Sequence, residues 1–231
     1  MCYTGVIINP LKRDIHEPVV KKMMEEMRAN SDGFYLFSMD PDVFVRTVEY
    51  DEFVRVLENV IRGRPKFVHF HFRLASSGSV SEENVHGWSL GKYYVTHNGY
   101  VGEYATDPYY CDTYILVNED RVFRNLVVFN DWSGLYDYLL AKNFYGVMFV
   151  VSRNADEVYG VTVLQQLKFY HVNDITYAAS SDVMERLDRI IYAGKGMIYK
   201  KYVNGIYSIR HGQITELHKG KPPILSKLFK D

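Results

Sequence analysis

Apolar and polar positions along this chain follow two periods. "YTGVII" (3–8) is a short β-branched run closed by Asn9-Pro10 and predicts a strand. Over 16–30, "HEPVVKKMMEEMRAN" puts Val19, Val20, Met23, Met24 and Met27 on one helical face, with Lys and Glu opposite. "GFYLFSM" and "VFVRTVEY" predict strands around the turn signal "DPD". Asp51 is then expected to cap a helix over 52–62, with Phe53, Val56, Leu57, Val60 and Ile61 inward. "KFVHFHFRLAS" (66–76) and "YYVTHNGYV" (93–101) predict further strands, and Asp131 a helix through Lys142. The runs "GVMFVVS", "VYGVTVL", "LKFYHV" and "ITYAASS" follow, then a helix from Ser181, then strands with turns at Asn204-Gly205 and His211-Gly212. Runs such as "GVMFVV" are apolar on nearly every residue, the pattern of a strand buried on both faces. Helices come in bursts between runs of strands. That favours two packed sheets covered by helices over a doubly wound parallel sheet.

Composition narrows the class. The 231 residues include 20 Tyr and 13 Phe, which favour strands and a sheet-rich core. No linker, low-complexity tract or internal repeat interrupts 1–231, so one domain is expected. A formal net charge of -1 gives no electrostatic reason to expect nucleic acid or a membrane surface as a partner. Two cysteines are too few for a disulfide framework or a four-cysteine zinc site. The start has no basic-then-apolar signal pattern and no run approaches a membrane span, so the expected location is cytoplasmic.

Several residues carry candidate chemistry. Removal of Met1 would leave Cys2 with a thiol and a free α-amine, a nucleophile and a base on one residue. Arg73 ends an apolar strand with a planar fork suited to a carboxylate. "HNG" (97–99) reads from spacing as a hairpin turn, and would otherwise offer a side-chain amide and a backbone N–H to an oxyanion. Asp112 would bind an ammonium or cap a short helix. His69 and His71 share a strand face, and His86 and His97 could join them. No carboxylate or cysteine supports them at ligand spacing, so no metal is expected and backbone-satisfied histidines are. No cofactor is expected either.

In order along the chain, Cys2, "SDGF" (31–34), "HFRLASSG" (71–78), "ENVHGW" (83–88), "HNG" and "CDTYIL" (111–116) resemble the class II glutamine amidotransferase domain, an amino-terminal-nucleophile hydrolase. "YAASSDVMERL" (177–187) and "NGIYSIRHGQITEL" extend the resemblance over nearly the whole chain. It implies an α+β fold, a four-layer αββα sandwich of two mainly antiparallel sheets. It also implies a glutaminase site. Cys2 matches the nucleophile, and Asn98 and Gly99 match the oxyanion hole. Arg73 and Ser76 match the residues beside the substrate's α-carboxylate, and Asp112 the acid that binds its α-ammonium. Four features depart from the family pattern: Tyr3 replaces glycine and would crowd the pocket, "HGW" replaces a His-Pro pair, the 101–111 segment is short, and Cys111 replaces serine.

The expected activity is glutamine amidohydrolysis through a thioester, releasing ammonia and glutamate, with a separate synthase subunit as partner. The alternatives are a stand-alone amidase for a γ-glutamyl small molecule, an amidase for a bulkier acyl amide, and a silent amino-acid- or partner-binding domain. Retention of Cys2, Arg73, Asn98, Gly99 and Asp112 argues against silence, because a structural role needs none of them. Cys111, directly before the proposed acid, reads as a buried small residue, or more sharply as a redox partner of Cys2.

Overall fold

The structure is a computed structural model that describes residues 2–180 and 198–221. The helix expected from Ser181 lies outside the described residues.

The described strands form two antiparallel sheets. The first contains β1 (Tyr3–Ile8), β2 (Phe34–Met39), β3 (Val43–Thr47), β4 (Phe67–Phe72), β9 (Leu167–Val172), β10 (Ile175–Ala179) and β11 (Ile198–Tyr202), in the order β11-β9-β10-β1-β4-β2-β3. The second contains β5 (Trp88–Leu90), β6 (Tyr93–Val101), β7 (Phe144–Ser152), β8 (Val158–Val163), β12 (Gly205–Arg210) and β13 (Gln213–Lys219), in the order β13-β12-β8-β7-β6-β5.

Strand alternation divides the side chains into three apolar layers. Helices α1 (Glu17–Ala29) and α2 (Tyr50–Arg62) cover the outer face of the first sheet, burying Val19, Met23, Met27, Phe53, Leu57 and Val60 against Tyr3, Ile7, Phe34, Leu36, Phe70 and Phe72. Helices α3 (Asp112–Asn118), α4 (Arg121–Val128) and α5 (Trp132–Ala141) cover the second, meeting Val95, Met148, Val150 and Val161. Between the sheets lie Val6, Tyr35, Phe37, Val147, Phe149, Val151, Phe169 and Ala178. The result is the αββα sandwich that the strand and helix pattern predicts. Strand β7 sends Val147, Phe149 and Val151 to the middle layer and Met148 and Val150 outward, which is why it reads as continuously apolar.

Local expectations need correction at three points, and one helix had not been expected. Helix α2 starts at Tyr50, so Asp51 sits in its first turn instead of capping it, where its charge still suits the helix N-terminus. Strand β4 stops at Phe72, and "RLAS" is loop. Asn204-Gly205 is not a hairpin turn: β11 pairs with β9 in one sheet and β12 with β8 in the other, so the turn carries the chain between sheets. Helix α4 gave no clear sequence expectation, although Asp120 caps it by accepting the N–H groups of Val122 and Phe123. Asp131 does cap α5, through the Gly134 N–H.

Candidate active site

Tyr3 and Cys2 lie on opposite sides of β1. Tyr3 is buried in the outer layer beneath the helices, so it points away from the middle layer and does not crowd the site, contrary to expectation. Cys2, in phase with Thr4 and Val6, belongs to the side between the sheets. Its Sγ lies 3.4 Å from both the N–H and the carbonyl of Leu74, the second residue beyond β4. Burial raises the thiol's pKa, the Leu74 N–H and the Arg73 charge oppose that, and the Asp112 charge adds to it.

A cleft of about 230 Å³ opens at Cys2. Leu74, Ala75 and Ser76 line it from the first sheet's loop, and Asn98, Gly99, Tyr100 and Tyr145 from the second sheet. The structure thus brings Cys2, Ser76, Asn98 and Gly99 to one cleft. Arg73 and Asp112 do not line it, although both charges are felt at Cys2.

"HNG" is not a hairpin turn. It lies inside the nine-residue β6, and Gly99 faces Gly146 across to β7. Gly99 has φ +155°, and a Cβ there would lie 1.9 Å from the Tyr145 carbonyl and 2.6 Å from the His97 ring. The glycine is required by close strand approach, which spacing alone does not reveal. The Asn98 amide donates to Ser180 Oγ at 2.9 Å, and Ser180 Oγ accepts the Thr4 N–H at 3.3 Å. Ser180, at the end of the "AAS" run, ties the two sheets together beside β1. Sequence reasoning noticed this run but assigned it no role.

Four histidines are buried here, His69, His71, His86 and His97, and no others are buried among the described residues. His97's N–H donates to His86 Nδ1 at 3.1 Å, and its carbonyl bonds His71 Nε2 at 3.1 Å. The His97 ring reaches Thr113 Oγ1 at 2.9 Å and the Tyr145 carbonyl at 3.1 Å. The His71 and His86 rings stack at 3.8 Å with planes 5° apart. His69 joins the Tyr35 hydroxyl to Thr96 Oγ1, which in turn meets Thr4 Oγ1 at 2.7 Å. Side chains satisfy His69, contrary to the backbone expectation, while the backbone satisfies only Nε2 of His71, whose Nδ1 has no hydrogen-bond partner among the described residues. Burial depresses all four imidazoles, His69 to about 3 and His97 to about 4, so they are neutral near pH 7. No group of three or more candidate ligands is arranged to hold a metal among the described residues.

The loop after β4 is held from within. Arg73 is 2% exposed and donates to the Ser79 carbonyl at 2.9 Å and the Ser77 carbonyl at 2.8 Å. Asp32, from "SDGF", accepts the Ala75 N–H at 2.8 Å. Asn84, from "ENVHGW", donates to the Ser79 and Tyr109 carbonyls and accepts the Cys111 N–H. Asp112 Oδ2 accepts the Val101 N–H at 2.6 Å, closing the short 101–111 segment, while Oδ1 accepts from Thr113. Neither Arg73 nor Asp112 makes an ion pair among the described residues. Gly87 of "HGW" has φ +88°, and a Cβ there would enter the Tyr35 ring, so neither a proline nor any side chain fits. Cys111 is buried, caps α3 through the Tyr114 N–H, and has its thiol pushed up to about 12, chiefly by burial.

No family model and no curated protein matches this sequence. Solved structures do share its fold. An allosteric regulatory enzyme of purine biosynthesis superposes with a TM-score of 0.60 at 12% identity, over 94% of this chain and 49% of that one. Glutamine phosphoribosylpyrophosphate amidotransferase from B. subtilis gives 0.55 at 11%, over 94% and 49%. A glutamine aminotransferase class-II domain protein from Silicibacter pomeroyi gives 0.55 at 9%, over 95% and 100%. The chain thus spans about half the length of the first two. At such identities the likeness is one of fold. What is shared is the αββα sandwich of two antiparallel sheets covered by helices.

Proposed function

We propose that this protein hydrolyses the side-chain amide of glutamine or of a γ-glutamyl compound, with Cys2 as the nucleophile. The observation that carries the reading is the cleft itself. A thiol beside the Leu74 N–H on one wall faces Asn98 and Gly99 on the other. The Cys2 sulfur attacks the amide carbon. The negative charge on oxygen meets the uncommitted N–H of the Asn98 amide and the Gly99 N–H. A free α-amine on Cys2 takes the thiol proton and passes it to the departing amine, leaving a thioester. Water then hydrolyses the thioester, yielding glutamate and restoring the thiol. When glutamine is the substrate the departing amine is ammonia, which a separate synthase could consume.

Arg73 and Asp112 suit a zwitterionic head. Each is a buried charge without a counter-ion among the described residues, which is costly unless a ligand supplies one. An α-carboxylate and an α-ammonium supply both. A second reading, a bulkier acyl amide, is favoured by the absence of both residues from the cleft walls.

The test combines intact mass with a glutamine-analogue electrophile such as diazo-oxo-norleucine. The expected result is a chain beginning at Cys2 that gains one adduct, with Cys2→Ser blocking the adduct and most turnover. Active protein whose Cys2 nitrogen is still acylated, or undiminished hydrolysis by Cys2→Ser, would remove Cys2 from the mechanism.

A further inference from the structure

Three of the residues lining the cleft are large, apolar and open to solvent: Leu74 is 41% exposed, Tyr100 48% and Tyr145 39%. None of their side chains takes part in the chemistry proposed above. Tyr100 and Tyr145 are cross-strand partners on β6 and β7, so their Cα atoms oppose each other directly beside the oxyanion peptide. Neither hydroxyl has a hydrogen-bond partner among the described residues, so no polar contact within the protein explains these rings. Departing ammonia is small and strongly hydrated and needs no aromatic wall.

The remaining cleft residues divide by role. Cys2, Asn98 and Gly99 surround the reacting carbonyl. Ser76 adjoins the loop through which Arg73 and Asp112 connect to the site: Arg73 bonds the Ser77 and Ser79 carbonyls, and the Asp112 N–H lies 3.5 Å from Ser77 Oγ. The α-amino-acid head therefore belongs toward Ser76. The amide's other substituent is left with Tyr100, Tyr145 and Leu74.

We propose that these three residues form a subsite for the amine side of the substrate, and that the preferred substrates are γ-glutamyl amides of aromatic or large apolar amines. This rests on the reading of Cys2 as a γ-glutamyl amidase nucleophile. Ring contact with the two tyrosines, with the ring removed from water, favours such amines over small ones. The thioester chemistry is unchanged: the C–N bond breaks, the nitrogen takes one proton, and a benzylamine-like product leaves in place of ammonia.

The test compares γ-glutamyl benzylamide with γ-glutamyl methylamide, two alkylamides that differ in the ring. Wild type should favour the benzylamide in kcat/KM by about tenfold or more, the order expected of one well-buried ring. Tyr100→Ala and Tyr145→Ala should each bring the ratio toward one, while Tyr100→Phe should keep it. Reading both substrates on one preparation makes the ratio independent of how much enzyme is folded. A wild-type ratio near one, or a ratio that the alanine variants leave unchanged, overturns the subsite even if both amides are cleaved. If neither amide nor glutamine is cleaved and the electrophile does not label Cys2, the γ-glutamyl reading itself fails, and the subsite with it.

Discussion

Asn98 is oriented before any substrate arrives. One N–H of its amide is held by Ser180 Oγ, which is itself fixed by the Thr4 N–H on β1. In the proposed mechanism the other N–H remains for the oxyanion, and its direction is set from the facing sheet, by Ser180 just beyond β10. Donors fixed in advance act mainly on the transition state. Asn98→Ala should therefore lower kcat for glutamine by about 10²- to 10³-fold, the usual loss for one such donor, with KM little changed. Ser180→Ala removes the orientation and keeps the donor, so its loss should be smaller, about tenfold, and again confined to kcat. Steady-state kinetics of the two variants decides this. A rise in KM with kcat preserved would assign Asn98 to ground-state binding instead.

At the scale of elements, the site is where two sheet ends meet: β1 brings the thiol, β6 the amide, and the loop after β4 the wall between. The loop is the element on which substrate recognition depends in the proposed mechanism. Arg73 braces it through two carbonyls and Asp112 closes the neighbouring segment on the Val101 N–H, yet both remain buried charges in need of counter-charges. If the substrate carries a free α-amino-acid head, Arg73→Ala and Asp112→Asn should each weaken recognition by several kcal/mol, because a buried substrate charge loses its partner. The readout is kcat/KM for glutamine beside thermal stability, since bracing alone would move the second and spare the affinity of folded enzyme. Little effect on kcat/KM from either variant favours the bulkier-acyl reading. Much of this architecture was legible in sequence, because long periodic elements such as α1, α2 and β7 bury whole faces and advertise the burial. The proposed nucleophile and oxyanion residues were suggested by their order along the chain, and the structure brings Cys2, Asn98 and Gly99 to one cleft. What stayed hidden depends on distant partners. The strand setting of "HNG" follows from Gly99 meeting Gly146, the switch of sheets at Asn204 from pairing, and the outward turn of Tyr3 from the phase of β1. The roles of Ser180, His86 and the two cleft tyrosines arise only when the sheets pack.

For the whole molecule, the polar seam between the sheets makes stability depend on pH. His69, His71, His86 and His97 are buried and neutral, bonded to Tyr35, Thr96, Thr113 and the backbone of residue 97. The unfolded chain binds protons on these imidazoles below about pH 6.5, the ordinary histidine value. The native state resists until much lower, about 4 for His97 and about 3 for His69, even though the Asp112 charge opposes the fall at His97. Over that window the unfolded state holds more protons than the native one, so stability falls as pH falls. Each histidine contributes roughly 1.4 kcal/mol per pH unit below its unfolded value. Four acting together at pH 5.5 remove roughly 5 kcal/mol, comparable to the whole stability of an ordinary domain at its low end. Acid unfolding is therefore expected near pH 5, before the exposed carboxylates titrate. Urea unfolding at a series of pH values from 7 to 5 measures the slope. His69→Gln, which keeps a polar group near Tyr35 and Thr96 but cannot take up a proton, should flatten the slope by about one proton's worth. An unchanged slope in that variant, or a wild-type stability that is level from pH 7 to 5, would show that the seam admits protons without unfolding.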